Sequence, residues 1–562
     1  MVGVKGFEPP APCSQSTCAT GLRYTPLPFA LPLLATFNNI QQPKSNVNHE
    51  ISSPFLGIFQ HAFIGWIAVG PAALHAVREA VIMKLYYDAH LGIKKVEINL
   101  EIIGASVEAQ EVTSALFLEL SQRNLRYHIE SYGCQMNAHD SEKIAGMLTA
   151  MGYQAAEKKE EADLILFNTC CVREHAEKRV FGNVGALKKQ KDENPGLIIA
   201  VCGCMMQQPE VAKKLYDRYP FVNLVFGTHS LHELPMLLSL ALQGERPLSV
   251  HDTQGDVIEG LPVKRVPGVC ASINIMYGCN NYCSYCIVPY VRGRERSRQP
   301  EHILEEARAL AAQGYSEIQL LGQNVNSYGK DLGIISFAKL LGQMNGVEGI
   351  RRIRFMTSHP KDLSDELIEA MATLDKVCDH IHLPVQAGSD RILRLMNRGY
   401  TRAQYQTLVE KLRKANPNIE LTTDIIVGFP GETEEDFQET LSLIEEAGFS
   451  AAFTFMYSPR SGTKAATMED QIEQTVKKER LHRLNALQEQ MTRKTNERYI
   501  GKTGEALVEG CDMRKEPMLY GKLSSFKMVY FPGTPDKIGS YMRVCVQKAH
   551  NNSLIGVAED AL

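Results

Sequence analysis

The sequence predicts an α/β protein built in three successive parts: a parallel α/β sheet, a partial parallel (β/α) barrel, and a small antiparallel β-barrel. Three observations carry this. Strand and helix patterns alternate from residue 125 to 242, alternate again from 270 to 458, and after about 500 give way to short β-type runs broken by Gly and Pro. Strand–helix alternation implies parallel pairing, because each helix returns the chain to the strand's starting edge. Short strands with turn residues suit a small closed barrel.

In the first part, RYHIESYGC (126–134) is an apolar strand ending in Cys134, followed by a helical stretch, NAHDSEKIAGMLTAMG. ADLILFNTC is a second strand that ends at Cys170, and LIIAVCGC is a third that ends at Cys204. The helical stretches REHAEKRVFGNVGALKKQ and PEVAKKLYDRYP follow these two strands, and NLVFGT with HELPMLLSLAL adds one more strand and helix. Residues 243–268 are polar and contain Gly and Pro, as a linker does. The second part holds the strands SINIMYG, SEIQLLG, RIRFMTS, HIHLPV, IELTTDIIVGF and AAFTFMYS, each separated from the next by a helical stretch. A parallel barrel is the natural closure, with its site at the carboxyl ends of the strands. Residues 465–500 read as a charged helix with eight Lys/Arg against three Glu between 477 and 502, a pattern that by itself suits a solvated helix face.

Composition narrows the class. With 562 residues, 44% hydrophobic and 22% charged, the chain can bury large cores. A net charge of −4 argues neither for nor against nucleic acid. Fourteen cysteines in so long a chain are too sparse for a secreted disulfide framework, and several sit at strand ends, which favours metal ligation in a reducing compartment. Cys378 and Cys545 read as ordinary buried cysteines. Residues 1–124 carry Pro clusters and little period, so they are expected to be a poorly ordered extension from an over-long start, with Met83 as an alternative start. The N-terminus lacks the layout of a secretory signal. Residues 55–77 are apolar, but Gln60, His61, Pro71 and His75 count against a membrane span.

Position gives the cysteines meaning. Ligands of parallel sheets bind at the strands' carboxyl ends. Cys134, Cys170 and Cys204 each lie just past a strand end, so three thiols distant in sequence can converge. Three cysteines without a fourth suit an iron–sulfur cluster with one open iron better than structural zinc. Cys171 and Cys202 read as bystanders. A second trio, Cys279, Cys283 and Cys286, has C-x-x-x-C-x-x-C spacing in the loop GCNNYCSYCIVPYVRGRERSR. Zinc, which prefers four ligands, is the weaker reading there too. Tyr285 offers an aromatic face on which adenine could stack.

This loop resembles the signature of radical S-adenosylmethionine (SAM) enzymes. The pieces YGCQMN, FNTCCVRE and CGCMMQ resemble the cluster-binding domain of the methylthiotransferase family, and the C-terminal barrel resembles the TRAM RNA-binding domain. The resemblance implies a methylthiotransferase N-terminal cluster domain at 125–242, a radical SAM domain at 265–496 and a TRAM domain at 498–562. It implies two 4Fe-4S clusters, on Cys134, Cys170 and Cys204 and on Cys279, Cys283 and Cys286. One SAM would methylate a sulfur of the first cluster; another, at the second, would yield the 5′-deoxyadenosyl radical. The loop is most similar to the tRNA branch, which modifies C2 of N6-isopentenyladenosine beside the anticodon. Branches acting on threonylcarbamoyladenosine or a ribosomal protein remain open, as does a non-catalytic RNA-binding protein. Ala387 in PVQAGS departs from the Ser common in the family.

Residues expected to contact SAM sit on the barrel rim: Gln323, Asn324 and Asn326 in GQNVNSYG, Ser358 and His359 in TSHP, Gln386 in PVQAGS, and Gly428 to Glu432 in GFPGE. Arg292, Arg294, Arg296, Arg298 and the basic helix 477–502 are expected to meet phosphates, and Tyr290 or Tyr530 to stack on splayed bases. Expected partners are a tRNA anticodon stem-loop and an electron donor such as a flavodoxin or ferredoxin. The protein is expected to be a cytoplasmic monomer without membrane attachment.

Overall fold

The computed structural model describes residues 123–559 apart from 172–175, 252–256 and 515. The expectations for the N-terminal extension, the apolar stretch 55–77 and Met83 lie outside the described residues. Among the described residues no helix is long and apolar enough to cross a membrane.

The first part is a six-stranded, all-parallel sheet of β1 (Arg126–Ser131), β2 (Gln154–Ala155), β3 (Leu164–Thr169), β4 (Ile198–Gly203), β5 (Leu224–Phe226) and β6 (Leu248–Ser249), in the order β2-β1-β3-β4-β5-β6. Every residue of β3 and β4 is buried, because helices cover both faces of the sheet. Leu164, Leu166 and Cys202 pack against α1 (Gln135–Ala150) and α5 (Leu234–Leu242). Ile165, Phe167 and Val201 pack with α2 (Ala176–Ala186) and α4 (Pro209–Arg218); α3 (Lys188–Glu193) follows α2. Cys202, read as a bystander, is a core residue.

The linker docks on this part. The Lys264 amide donates to the Glu142 carbonyl at 2.9 Å. A Cβ at Gly146 of α1 would lie 2.1 Å from the Pro262 carbonyl oxygen, so only glycine allows the approach. Arg265 then pairs with Glu142 (2.9 Å) and with Glu306, while Arg298 pairs with Glu306 (2.7 Å) and Glu259 (2.8 Å). This chain of alternating charges joins α1, the linker and the barrel.

The second part holds six parallel strands in two three-stranded sheets. One is β7 (Cys270–Asn274), β10 (Glu317–Leu321) and β11 (Arg352–Phe355) in the order β11-β10-β7. The other is β12 (His380–His382), β13 (Glu420–Val427) and β14 (Ala451–Met456), with β13 central. A parallel bridge between Ile353 and Val377 sets β11 beside the second sheet, giving a partial barrel. A short antiparallel pair, β8 (Met276–Tyr277) and β9 (Arg296–Ser297), closes the base of the cysteine loop, which contains α6 (Val288–Val291). The outer helices are α7 (Pro300–Ala312), α8 (Phe337–Asn345), α9 (Asp365–Thr373), α10 (Asp390–Leu395), α11 (Arg402–Ala415) and α12 (Glu434–Ala447). Ser336, Ser364, Thr401 and Thr433 cap four of them through their hydroxyls. The charged helix, α13 (Gln474–Glu497), starts later than residue 465. Residues 464–467 instead form a 3-10 turn, and the Ala465 amide donates to the Ser284 carbonyl.

The third part is a closed barrel of β15 (Thr503–Asp512), β16 (Met518–Leu523), β17 (Met528–Pro532), β18 (Tyr541–Ala549) and β19 (Leu554–Ala558). Its pairings are antiparallel except β17 with β19, which run parallel and close the ring. It plugs the amino-terminal end of the partial barrel. Arg354 of β11 donates to the carbonyls of Leu523 (2.7 Å) and Ser524 (2.9 Å), and Arg352 to that of Lys522 (2.9 Å). His380 stacks on Phe526 with centroids 4.7 Å apart.

Candidate functional site

The sheet topology gathers the first cysteine trio. Cys134 is the N-cap of α1, three residues past β1, and Cys170 and Cys204 immediately follow the adjacent strands β3 and β4. Two glycines permit the convergence. Gly133 has φ +112° and a Cβ there would sit 2.6 Å from Cys170 Sγ; Gly203 has φ +95° and a Cβ would meet Asn168 Oδ1 at 2.4 Å. Asn137 braces the cradle, donating to the carbonyls of Tyr132 (2.9 Å) and Thr169 (2.8 Å). Cys204 is held at a pKa of about 6 by a hydrogen bond from Cys171 and by the Arg292 charge, against the cost of burial. Cys134 is exposed, whereas Cys170 and Cys204 are buried. Cys171, read as a bystander, therefore stands against Cys204.

The second trio lies in the loop between β8 and β9. Gly278 opens it with φ +77°, and a Cβ there would lie 1.9 Å from the Arg294 carbonyl oxygen. The Cys279 amide donates to the Gly293 carbonyl at 3.0 Å, closing the loop's neck. Burial, together with the neighbouring Cys283, raises Cys279 to about 11 and Cys286 to about 12. The three thiols therefore sense one another. Among the described residues no three His, Cys, Asp or Glu side chains are spaced to hold one metal ion. Three thiols without a fourth ligand suit a cluster with one open iron better than structural zinc.

Each trio also receives a buried arginine. Arg398 Nη1 donates to Cys283 Sγ at 3.4 Å and to the Tyr285 hydroxyl at 3.4 Å, while its Nη2 is anchored on the Pro384 carbonyl. Arg292 Nε donates to Cys204 Sγ at 3.1 Å. Sequence reasoning missed Arg398, which lies in MNRGY, a stretch with no chemical motif.

The rim residues divide into two groups. Asn274, Asn326, Ser358 Oγ, His359 Nε2 and Asn324 Oδ1 are buried without hydrogen-bond partners at the carboxyl ends of the neighbouring strands β7, β10 and β11. Unsatisfied buried polar atoms are costly, and together they fit a polar ligand such as SAM. Burial, with Arg398 nearby, lowers His359 to about 2 and keeps it neutral. Thr357 (φ +71°) and Gln386 (φ +73°) are non-glycine residues in the left-handed region, strain that clusters at working sites.

Other candidates are engaged within the protein. Gln323 accepts from the Gly278 amide and so holds the cysteine loop (2.5 Å). Asn324 Nδ2 donates to Asp362 at 2.7 Å. Glu432 accepts from the Gly428 amide and pairs with Arg480, both at 2.7 Å, while burial raises its carboxyl to about 7. Tyr285 packs against the barrel core.

Several expected phosphate contacts point inward. Arg292 is 6% exposed and pairs with Asp140 at 2.7 Å; Arg298 is buried in the charge seam. On α13, Lys477 donates to the Tyr457 carbonyl and Arg480 to Glu432, both buried. A count of charges along a helix does not reveal which of them fold under. Arg294, Lys478, Arg493, Lys494, Arg498 and Lys502 are exposed, Arg296 partly so. Tyr290 is exposed and meets Tyr282 edge-on, and Tyr530 is half-buried beside Tyr520.

Residues 273–444 match the Radical SAM superfamily, 126–227 the Uncharacterized protein family UPF0004, and 497–558 the TRAM domain. The chain is 54% identical over 451 residues to a tRNA-2-methylthio-N(6)-dimethylallyladenosine synthase of Caldicellulosiruptor saccharolyticus, covering 80% of this chain and 95% of that protein. It is 52% identical over 432 residues to one from Clostridium botulinum (76% and 96% covered). Among solved structures, a radical S-adenosylmethionine methyltransferase of Kitasatospora setae is similar at a TM-score of 0.47 and 15% identity, over 61% of this chain and 77% of that one. The chain belongs to the radical SAM methylthiotransferase family, in its tRNA-2-methylthio-N(6)-dimethylallyladenosine synthase branch.

Proposed function

We propose that this chain transfers a methylthio group to C2 of N6-isopentenyladenosine beside the anticodon of tRNA. The observation that carries the reading is two cysteine trios in one chain, each supplied with a buried arginine donor. When bound, two 4Fe-4S clusters and two SAM molecules supply the sulfur and the one-electron chemistry that an aromatic C–H bond demands.

The chain's own residues do the rest. Cys279, Cys283 and Cys286 would hold the cluster that supplies the radical chemistry with SAM. Gln323 fixes the loop through Gly278, and Arg398 holds Cys283 and Tyr285 together. Asn274, Asn326, Ser358 and neutral His359 offer the polar atoms for the methionyl and ribose parts. Gly428 and Gln386 shape the rim, Glu432 holds Gly428, and Asn324 faces the same space. Cys134, Cys170 and Cys204 hold the second cluster. The TRAM domain and exposed Arg493, Lys494, Arg498 and Lys502 bind tRNA phosphates. A flavodoxin or ferredoxin donates electrons. Both trios and the RNA module share one chain, so a monomer suffices, and a tRNA substrate puts the work in the cytoplasm.

The test is nucleoside mass spectrometry of tRNA from a bacterial strain lacking its own enzyme for this modification and supplied with this chain. Restored 2-methylthio-N6-isopentenyladenosine is expected. Methylthiolation of threonylcarbamoyladenosine instead, or no methylthio nucleoside at all, would overturn the substrate assignment.

A further inference from the structure

Arg292 belongs to the loop of the second trio, six residues past Cys286, yet its guanidinium ends in the cradle of the first. Nε donates to Cys204 Sγ at 3.1 Å, Nη2 to Asn137 Oδ1 at 2.7 Å, and Nη1 pairs with Asp140 at 2.7 Å. Every partner is buried: Asn137 at 0%, Asp140 at 4% and Cys204 at 5% exposure. Asn137 is itself fixed by donating to the Tyr132 and Thr169 carbonyls. The apolar contact of Cys171 and Cys204 with Ile287 and Val291 seals the same junction.

An ion pair with Asp140 alone would account for burying the charge. It does not require Nε to face a thiol. The fork instead divides its donors among a carboxylate, an amide that frames the cradle, and the sulfur of a cluster ligand. Reduction potentials of iron–sulfur clusters are set by net charge and by hydrogen bonds to the sulfurs, and outer partners orient the ligands. A guanidinium also keeps its charge when buried.

We infer that Arg292 is a positioning residue that tunes the N-terminal cluster from the radical SAM domain, raising its reduction potential by charge and an N–H···S bond. Asp140 opposes it by partly neutralising that charge. Arg398 serves Cys283 from within its own domain, so Arg292 is the arginine that spans the two cradles. The inference rests on the reading that Cys134, Cys170 and Cys204 hold a cluster.

The test is a reductive titration of the reconstituted full-length enzyme followed by electron paramagnetic resonance. Variants in which one cysteine trio is replaced by alanine keep a single cluster and so assign each signal. Arg292→Gln is expected to move the midpoint of the N-terminal cluster to a more negative potential. Arg292→Lys, which keeps the charge and loses the fork, gives a smaller negative shift. Asp140→Asn moves it the opposite way, and the radical SAM cluster stays in place in all three. A merely structural arginine would loosen the cradle in every variant, so shifts of one sign in Arg292→Lys and Asp140→Asn would overturn the inference, as would no shift or an equal shift of both clusters. If Arg292→Gln fails to fold, Arg292→Lys and Asp140→Asn still decide. Absence of a second cluster from the unsubstituted enzyme would overturn the reading beneath it.

Discussion

Arg480 of α13 donates to Glu432 of the GFPGE loop at 2.7 Å, with both side chains almost fully buried. The same guanidinium group also reaches the Glu432 carbonyl at 3.1 Å, and Glu432 holds the Gly428 amide. The pair therefore pins the long helix to the barrel rim. Removing one partner of a buried pair leaves the other charge uncompensated. Arg480→Ala is expected to cost about 3–5 kcal/mol in a urea unfolding measurement. A milder loss of about 1–3 kcal/mol is expected for Glu432→Gln, which leaves the arginine without its carboxylate but keeps an acceptor. An exposed, phosphate-facing arginine would instead show no stability change.

Gly133 and Gly278 each bring backbone where a side chain cannot fit, beside a different trio. Gly133→Ala is expected to deplete the N-terminal cluster alone, and Gly278→Ala the radical SAM cluster alone. In each case iron content should fall by about half, as it should when the matching three cysteines become alanine, if each cradle carries one cluster on three thiolates. SAM cleavage to 5′-deoxyadenosine should survive Gly133→Ala and be lost in Gly278→Ala. Loss of all iron in either variant would contradict two independent cradles.

Arg354 joins the partial barrel to the terminal one. It pairs with Glu317 at 2.8 Å, both side chains 3% exposed, while donating to the Leu523 and Ser524 carbonyls. Arg354→Ala leaves Glu317 with only its longer pair to Arg352 at 3.8 Å, so a loss of about 1–3 kcal/mol is expected. Limited proteolysis should then cut near residues 498–502, between α13 and β15, faster than in the unsubstituted protein.

Burial pushes the His380 imidazole well below its ordinary value, and the adjacent Arg354 charge adds to the effect. A folded-state value below the unfolded one, about 6.5, means that the unfolded chain binds the extra proton. Stability from this group is thus complete above about pH 6.5 and lost as pH falls below it. The urea midpoint should drop between pH 7.5 and 5.5, and His380→Gln should make that drop shallower. An equal slope in the variant would show that His380 does not carry it.

Much of this organisation was legible in the chain itself. The strand–helix alternation sets a parallel sheet, so Cys134, Cys170 and Cys204 had to fall at one edge once their strands were recognised. The spacing of Cys279, Cys283 and Cys286 is local, and a single loop suffices to bring them together. The six barrel strands follow from periodicity for the same reason, since each pattern is set by near neighbours. Helix α13 was harder to bound, because residues 464–467 form a turn against the distant Ser284 carbonyl and do not belong to the helix.

The charged residues were decided only by the fold. Arg292, Arg298, Lys477 and Arg480 stand in basic runs and look like phosphate contacts, yet all four are buried. Whether an arginine faces solvent or a carboxylate depends on what the rest of the chain brings to it, and Asp140 comes from a different domain than Arg292. Arg398 was invisible for the same reason: nothing near it in sequence shows that Cys283 lies within reach. The sequence by itself determined the two cysteine sets and the order of the parts, because spacing and periodicity are local properties. Tertiary structure alone decided which charges serve those cysteines, because burial and ion pairing are set by residues that meet only after folding.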